Sequence, residues 1–231
     1  MIPKKIHYCW FGAHPLPKDV QKYIDSWRKY CPDYEIKEWN EQNFDIHLNR
    51  YVEEAYELKK WAFVSDVARI YALYTEGGIY MDTDVEVVRN LDPLLNNRGF
   101  LGFEGTQWIA TNMVGFEEKH ELLEQFLDSY NHRRFLKPDG TLDQTTNVEE
   151  LTKLLVDKFH LQLNGMQRNL QGDIMIYPTD YFSPYDYIQG KLNRTSNTYS
   201  IHWFSQSWIG QNFWRKKISQ FFHRVIGLKM K

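Results

Sequence analysis

Residues 60–84 pass directly from a helical pattern through two glycines into a short apolar segment that ends in two aspartates. The periodicity predicts a helix over 60–75, with an apolar stripe formed by Val64, Val67, Ala68, Tyr71 and Ala72. Gly77 and Gly78 end this helix, and residues 79–81 predict a short buried strand. A helix joined so closely to a buried strand is typical of α/β folds.

The rest of the chain continues this alternation. A strand, a helix and a second strand are predicted over 4–12, 16–34 and 34–39, which favours a βαβ unit. Further strands are predicted at 99–104, 113–116 and 173–178, and further helices at 119–133 and 147–159. We predict an α/β domain with a mixed, mainly parallel sheet over residues 1–208, followed by a tail over 209–231.

Composition places the chain among ordinary globular proteins. Of its 231 residues, 42% are hydrophobic and 25% are charged. The sequence contains no run of roughly 20 apolar residues, as a membrane-spanning helix requires, and its N-terminus does not resemble a secretion signal. Cys9 and Cys31 suit a reducing compartment as two free thiols, although a disulfide between them stays open. We expect a cytoplasmic protein.

Asp82 and Asp84 form an Asp-x-Asp pair at the carboxyl end of the predicted strand. Ligands of open α/β sheets bind beyond the carboxyl ends of the strands. Carboxylates there suit Mg²⁺ or Mn²⁺, which can stabilise the charge on a departing diphosphate. The alternative is a hydrated turn in which both side chains accept hydrogen bonds from backbone N–H groups.

Three polar residues share one face of the predicted helix that precedes the pair. Ser65, Asp66 and Arg69 are separated by three or four positions and therefore lie on the same side. They indicate either a surface ion pair of little energetic weight or a cluster that faces the strand end. In the second case Arg69 would contact a phosphate or a sugar hydroxyl, and Asp66 would accept a hydrogen bond from a sugar.

The run from Ser65 to Asp84 resembles the sugar-binding region of the DXD-motif glycosyltransferases of family thirty-two. That family includes the yeast initiating mannosyltransferase and many bacterial capsule and polysaccharide enzymes, and the run is also similar to that region in the large clostridial toxins. Three more stretches resemble the family in the same order, namely KKIHYCWFG, IYPTDYFSP and YSIHWFSQSW. The resemblance implies a Rossmann-like GT-A fold, a nucleotide-sugar donor, Mn²⁺ or Mg²⁺, and a retaining transfer.

The resemblance also implies roles for individual residues. The catalytic group would be Asp82, Asp84, Asp66 and Arg69, and the metal ligands would be Asp82, Asp84 and His202. The nucleotide-sugar group would comprise His7, Trp10, Ser65, Asp66, Arg69, Tyr80, Asp82, Asn112, Ser207 and Trp208. Within it Trp10 would stack on the base, Tyr80 would lie near the nucleotide, and Ser207 with Trp208 would close over the diphosphate.

Structural alternatives remain open for three of these positions. Trp10 also fits a core residue of a buried strand, His202 fits a packed histidine between aromatic residues, and Asn112 fits an ordinary turn. Thr145, Thr146 and Asn147 occupy a stretch where fungal members commonly carry Thr-Gly-Pro. Asn147 predicts a helix N-cap, and the stretch is expected to face the acceptor.

Charge and pattern distinguish the end of the chain. All 30 acidic residues lie at or before Asp186, whereas eight of the 28 basic residues follow it. Within 213–231 a helical apolar stripe is flanked by basic residues, and it consists of Trp214, Ile218, Phe221, Phe222 and Val225. We expect an amphipathic helix bound to an anionic membrane at the inner face of the plasma membrane, or else a helix docked on the domain.

The function that the sequence favours is a metal-dependent retaining transfer of a hexose or N-acetylhexosamine to a cell-surface glycan or a lipid-linked acceptor. The donor would be a UDP-sugar in preference to a GDP-sugar. The alternatives are a metal-dependent phosphohydrolase or nucleotidyltransferase and a non-catalytic carbohydrate-binding protein. No phosphate-binding GxxxxGK[ST] motif is present. No nucleic-acid partner is expected, because the basic residues of the tail alternate with apolar ones.

Overall fold

The computed structural model describes residues 1–171 and 173–205. Ser207, Trp208, the end of the predicted domain at residue 208 and the predicted amphipathic helix lie outside these residues. Their assignments stay predictions from the sequence.

The described residues form strands and helices that alternate through much of the chain. The strands are β1 (Lys5–Cys9), β2 (Glu35–Trp39), β3 (Gly78–Met81), β4 (Val85–Val87), β5 (Gly99–Glu104), β6 (Trp108–Phe116), β7 (Arg168–Leu170), β8 (Ile174–Tyr177), β9 (Tyr185–Asp186), β10 (Lys191–Leu192) and β11 (Ser200–His202). The helices are α1 (Lys18–Tyr30), α2 (Arg50–Glu57), α3 (Trp61–Glu76), α4 (Glu121–Asn131), α5 (Asn147–Phe159) and α6 (Thr179–Phe182).

A seven-stranded sheet in the order β2-β1-β3-β6-β5-β8-β7 forms the centre. Strands β1, β2, β3, β5 and β8 run in one direction, and β6 and β7 run in the other. Because β1 and β3 are parallel neighbours, their carboxyl ends lie at the same edge. The predicted mixed, mainly parallel sheet is confirmed.

Apolar side chains cover both faces of this sheet, and β3 contributes to both. Ile79 and Met81 belong to the core that contains α1, whereas Tyr80 belongs to the core that contains α3. This alternation follows from the two-residue period of a strand. It predicts that Asp82, two residues after Tyr80, also faces α3.

A second, two-stranded sheet brings the end of the described chain to the acidic pair. Strand β11 pairs antiparallel with β4, so that His202 lies opposite Val85. Helix α1 fixes β4 from the other side, because the Trp27 indole N–H donates to the Val85 carbonyl at 2.8 Å and the Val87 N–H donates to the Ser26 hydroxyl at 2.9 Å. Residues separated by more than a hundred positions therefore meet at one edge.

The sequence pattern predicts most of the longer elements and misses the short ones. It omits α2, β4, β7, α6, β9, β10 and β11, and it underestimates the length of β6. The N-cap of α5 is Thr146 and not Asn147, since Thr146 and Glu149 form a reciprocal capping box. Cys9 and Cys31 are buried as free thiols. Among residues 1–171 and 173–205, no helix is both long enough and apolar enough to cross a bilayer.

Gly78 begins β3 and offers a test of how tightly this strand is packed. Its φ is +107°, and an added Cβ would lie 2.9 Å from the Lys5 carbonyl oxygen and 3.0 Å from His7 Nε2. Gly140 also has a positive φ, +81°, but an added Cβ would have no neighbour within 4 Å. We expect Gly78→Ala to lower the free energy of unfolding by about 2 kcal/mol more than Gly140→Ala, because overpacking adds to backbone strain. Chemical denaturation of both variants measures the difference; equal losses would show that the space around Gly78 is not limiting.

Candidate active site

Asp82 follows β3 directly and is held by its neighbours. Its backbone N–H donates to the Asn112 carbonyl of β6 at 2.8 Å, and the Tyr80 hydroxyl donates to its Oδ1 at 2.9 Å. Asp82 shares the α3 side of the sheet with Tyr80, as the strand period requires. Asp82 is therefore built into the sheet edge.

Asp84 is enclosed by the residues that follow β11. Its Oδ2 accepts from the Ser205 N–H at 2.9 Å, and its carbonyl accepts from the Trp203 N–H at 3.0 Å. Its Oδ1 lies 3.3 Å from His202 Nε2. Phe204 adopts a left-handed backbone conformation, φ +52°, within this segment. The 202–205 segment thus fixes the second aspartate through three separate contacts.

Arg69 of α3 lies between the carboxylates of Asp66 and Asp82. Its Nη2 lies 3.1 Å from Asp66 Oδ1, and its Nη1 lies 3.2 Å from Asp82 Oδ1. Nη1 also donates to the carbonyl of Thr111 at 3.0 Å, and the guanidinium lies over the ring of Tyr80 at 4.6 Å from its centroid. Arg69 is buried, so the predicted cluster faces the strand end and is not a surface ion pair.

Burial and charge shift the pKa values of these groups in different directions. Burial raises the pKa of Asp66 to about 6 and also raises the pKa of Asp82, in both cases against the charge of Arg69. Burial alone would raise the pKa of Asp84, but the charge and hydrogen bond of His202 together with the Ser205 N–H hold the pKa below its usual value. Burial alone would lower the pKa of His202, but Asp84 and Glu104 raise it to about 9. His202 and Asp84 thus each favour the charged form of the other.

The three predicted metal ligands converge. One ligand atom from each of Asp82, Asp84 and His202 lies within 4.8 Å of the other two, and all three side chains are half-buried. Two carboxylates and an imidazole suit Mn²⁺ and can also accommodate Mg²⁺. The chemistry and spacing of this donor set fit a divalent cation.

Trp10 and Ser65 lie close to this edge of the structure. Trp10 follows β1 at the edge where Asp82 follows β3, and its indole N–H donates to the His14 carbonyl at 2.6 Å. Ser65 is buried on α3, and its hydroxyl has no hydrogen-bond partner among the described residues. Their contacts with a donor stay predictions.

Three members of the predicted nucleotide-sugar group have buried, structural positions. His7 is fully buried, with Nε2 2.7 Å from the Gly77 carbonyl and Nδ1 accepting from the Trp39 indole at 3.0 Å. Both ring nitrogens of His7 have partners within the core, so His7 does not belong to the predicted nucleotide-sugar group. Tyr80 lies beneath Asp82 and Arg69, and Asn112 is buried beside Ser183 at 3.3 Å. These two residues support the aspartates from within the protein.

Asn147, the first residue of α5, connects this helix to the site. The Asn147 amide donates to the Asp66 carbonyl at 2.8 Å and accepts from the Tyr130 hydroxyl. Asn147 is buried, so its side chain fixes the backbone at Asp66 and is not presented to an acceptor. Thr146 caps the helix.

The sequence pattern gives no reason to select two further residues of the site. Thr111 supplies two oxygens to Arg69, at 3.0 and 3.3 Å, and Glu104 approaches His202 to 4.0 Å. Glu104 ends the predicted strand 99–104, whereas Thr111 precedes the predicted strand 113–116 and belongs to the part of β6 that the prediction missed. Nothing in the local sequence of either residue distinguishes it. Only their position in the sheet identifies them. Strand β5 ends at the edge where β3 ends, and β6 passes this edge in the opposite direction.

Arg69 is expected to be the most costly single loss in this cluster. Arg69→Met leaves Asp66 and Asp82 without the cation that balances them in a buried environment, so the free energy of unfolding should fall by about 3 kcal/mol or more. The matched control is Arg98→Met, since Arg98 is exposed and pairs with Glu117 and Asp173 at the surface. Urea denaturation should show a much smaller loss for the control. Equal stabilities of Arg69→Met and the unmodified protein would contradict the balancing role of Arg69.

Comparison with known proteins gives consistent results for sequence and fold. Residues 17–101 match the family model for the glycosyltransferase sugar-binding region containing the DXD motif. The chain is 32% identical over 136 residues to inositol phosphoceramide mannosyltransferase 3 of Schizosaccharomyces pombe, covering 54% of this chain and 36% of that protein. The chain therefore spans little more than a third of the length of that relative.

Two other comparisons extend over more of the chain. An uncharacterised glycosyltransferase, L373, of Acanthamoeba polyphaga mimivirus is 25% identical over 198 residues, which cover 80% of this chain and 74% of that protein. The solved structure of the PaToxG glycosyltransferase superposes with a TM-score of 0.51 at 18% identity, over 69% of this chain and 70% of that one. With the sheet order and the Asp82–Asp84 pair at the end of β3, these comparisons show that residues 17–101 match the sugar-binding region of the DXD-motif glycosyltransferases and that the chain has a GT-A fold.

Proposed function

We propose that this glycosyltransferase transfers a hexose or N-acetylhexosamine from a nucleotide diphosphate sugar, with retention of configuration, in a reaction that requires Mn²⁺ or Mg²⁺. The observation that carries the proposal is the convergence of Asp82, Asp84 and His202 within 4.8 Å at the end of β3. A divalent cation bound there would neutralise the charge that develops on the departing diphosphate. Retention is proposed from the family resemblance.

The protein's own groups would orient the donor around that centre. Asp84 and His202 are held rigidly by β4, β11 and the 202–205 segment, so their ligand atoms need little rearrangement when the donor binds. Arg69 keeps Asp66 and Asp82 in place, and the half-buried Asp66 carboxylate can accept hydrogen bonds from sugar hydroxyls. Rigid positioning of this kind lowers the entropy lost in reaching the transition state.

The acceptor we propose is a lipid-linked or cell-surface glycan, as in polysaccharide or capsule synthesis. The name of the fission-yeast relative, an inositol phosphoceramide mannosyltransferase, supports an acceptor that carries a lipid. The donor we propose is a UDP-sugar in preference to a GDP-sugar, and the binding of UDP and GDP distinguishes the two.

Nucleotide binding tests the metal–diphosphate site directly. We expect UDP to bind the full chain in the presence of Mn²⁺ and binding to disappear with a chelator, as measured by isothermal titration calorimetry. Asp84→Asn should weaken this binding by about 100-fold or more, because it removes a charged ligand that several contacts hold in position. Asp157→Asn is the matched control, since Asp157 is exposed on α5, and it should bind as the unmodified protein does.

Each other outcome selects a different function. If GDP binds in a metal-dependent way and UDP does not, GDP replaces UDP as the proposed donor nucleotide. If no nucleotide binds under any metal condition, the transferase proposal fails and a carbohydrate-binding protein becomes the better account. Release of inorganic phosphate from the nucleotide would favour a phosphohydrolase. Proton NMR of the initial sugar product gives its anomeric configuration. A configuration opposite to that of the donor would overturn the retaining mechanism.

We further propose that residues 213–231 hold the enzyme on an anionic membrane at the cytoplasmic side. The proposal rests on the sequence pattern, since these residues lie outside the described part of the chain. In flotation with vesicles containing phosphatidylglycerol, the full chain should rise with the lipid. The variant with Arg215, Lys216 and Lys217 all replaced by Glu should remain in solution, because each basic residue contributes about 1 kcal/mol at such a surface. Flotation of neither protein would refute the membrane role, and flotation of both would refute the dependence of binding on these three basic residues.

A further inference from the structure

His202 has different surroundings at its two ring nitrogens. Nε2 faces Asp84 Oδ1 at 3.3 Å, on the side where the three predicted metal ligands converge. Nδ1 is buried and has no hydrogen-bond partner among the described residues. The nearest charged group on that side is the Glu104 carboxylate, whose Oε2 lies 4.0 Å away. A buried ring nitrogen without a partner is costly, and a carboxylate at this distance can reach it with a small side-chain movement.

Glu104 is the last residue of β5, and its position follows from the sheet. It pairs with Trp108 across the β5–β6 hairpin and is only half-buried, so its side chain can adjust. Among residues 1–171 and 173–205, His202 is the one cationic group within 4.0 Å of its carboxylate. The carboxylate is thus not committed to a lysine or an arginine of the described chain.

The aromatic residues around His202 leave the ring little freedom to move away from Glu104. The ring of Phe204 packs on the imidazole with centroids 3.8 Å apart, and Tyr187 packs on Phe204 at 4.5 Å. The backbone of His202 is fixed by its pairing with Val85. The imidazole can still rotate about its Cβ–Cγ bond. A hydrogen bond at Nδ1 would fix this rotation.

Metal ligation by histidine requires a lone pair at one ring nitrogen and commonly a hydrogen bond from the other ring N–H to a carboxylate. Resting on the proposed function, we propose that Glu104 is a positioning residue that accepts the Nδ1–H of His202 and so directs Nε2 toward the metal beside Asp82 and Asp84. Glu104 touches neither the donor nor the metal in this role. Its role is to fix the tautomer and the orientation of His202, which would bind the metal.

Mn²⁺ affinity tests this role without any measurement of transfer. The full chain is freed of metal and titrated with Mn²⁺ in the absence of nucleotide, with the electron paramagnetic resonance signal of free aqueous Mn²⁺ as the readout. Glu104→Gln should weaken Mn²⁺ binding by about 10- to 100-fold, the usual effect of losing an outer carboxylate partner of a metal-bound histidine. Glu118→Gln is the matched control and should leave the affinity unchanged, since Glu118 is exposed and follows Phe116, at the opposite end of the β5–β6 pair from Glu104.

A double-mutant cycle separates orientation of His202 from simple attraction of a cation by a nearby negative charge. In a His202→Ala background, Glu104→Gln should cause no further loss, because the ring that Glu104 orients is absent. Glu104→Asp keeps the charge and shortens the side chain, so the positioning role predicts weaker Mn²⁺ binding, whereas attraction alone predicts unchanged binding. Circular dichroism of each variant establishes that it is folded.

Three results would overturn the inference. Glu104→Gln could bind Mn²⁺ as the unmodified protein does, or it could cause the same fold-loss with and without His202, which would leave only a long-range charge effect. Failure of the unmodified protein to bind Mn²⁺ would instead remove the metal centre of the proposed function, and the role of Glu104 with it. The first two results leave that centre intact, so the two failures are distinguishable.

Discussion

The buried guanidinium of Arg69 is the group on which the arrangement of the site depends. It lies between Asp66 on its own helix and Asp82 at the end of β3, with Thr111 of β6 as a third partner. One cation thereby joins α3, the end of β3 and β6. A buried carboxylate without such a partner would take up a proton or destabilise the fold. Arg69 therefore lets the carboxylates of Asp66 and Asp82 remain close together at the edge where the donor is proposed to bind.

The second half of the site is assembled by backbone pairing. The antiparallel contact of β11 with β4 places His202 opposite Val85, and the next residues donate two backbone N–H groups to Asp84. Hydrogen bonds from the main chain depend on register and not on side-chain identity, so they fix Asp84 in one orientation. The same pairing turns the other nitrogen of His202 toward Glu104. The geometry of the ligand set is thus a property of strand register.

Much of the fold was predictable because it follows from local periodicity. The stripe of α3, its end at two glycines and the short apolar strand β3 are encoded within some twenty residues, and the observed bounds agree closely. The short elements β4 and β11 were not predictable, since strands of three residues carry too little pattern to be distinguished from loops. The same limit explains the N-cap of α5, where Thr146 and Asn147 are both favourable capping residues and the capping box decides between them.

The sequence by itself determined that Asp82 and Asp84 lie at a strand end and that Ser65, Asp66 and Arg69 share a helix face, because both statements depend only on the periods of a strand and a helix. Only the tertiary structure decided what these residues face. It placed His7 in the core, with both ring nitrogens engaged, and it brought Glu104 to His202. Contacts between residues a hundred positions apart depend on sheet order and strand register, which no local pattern specifies.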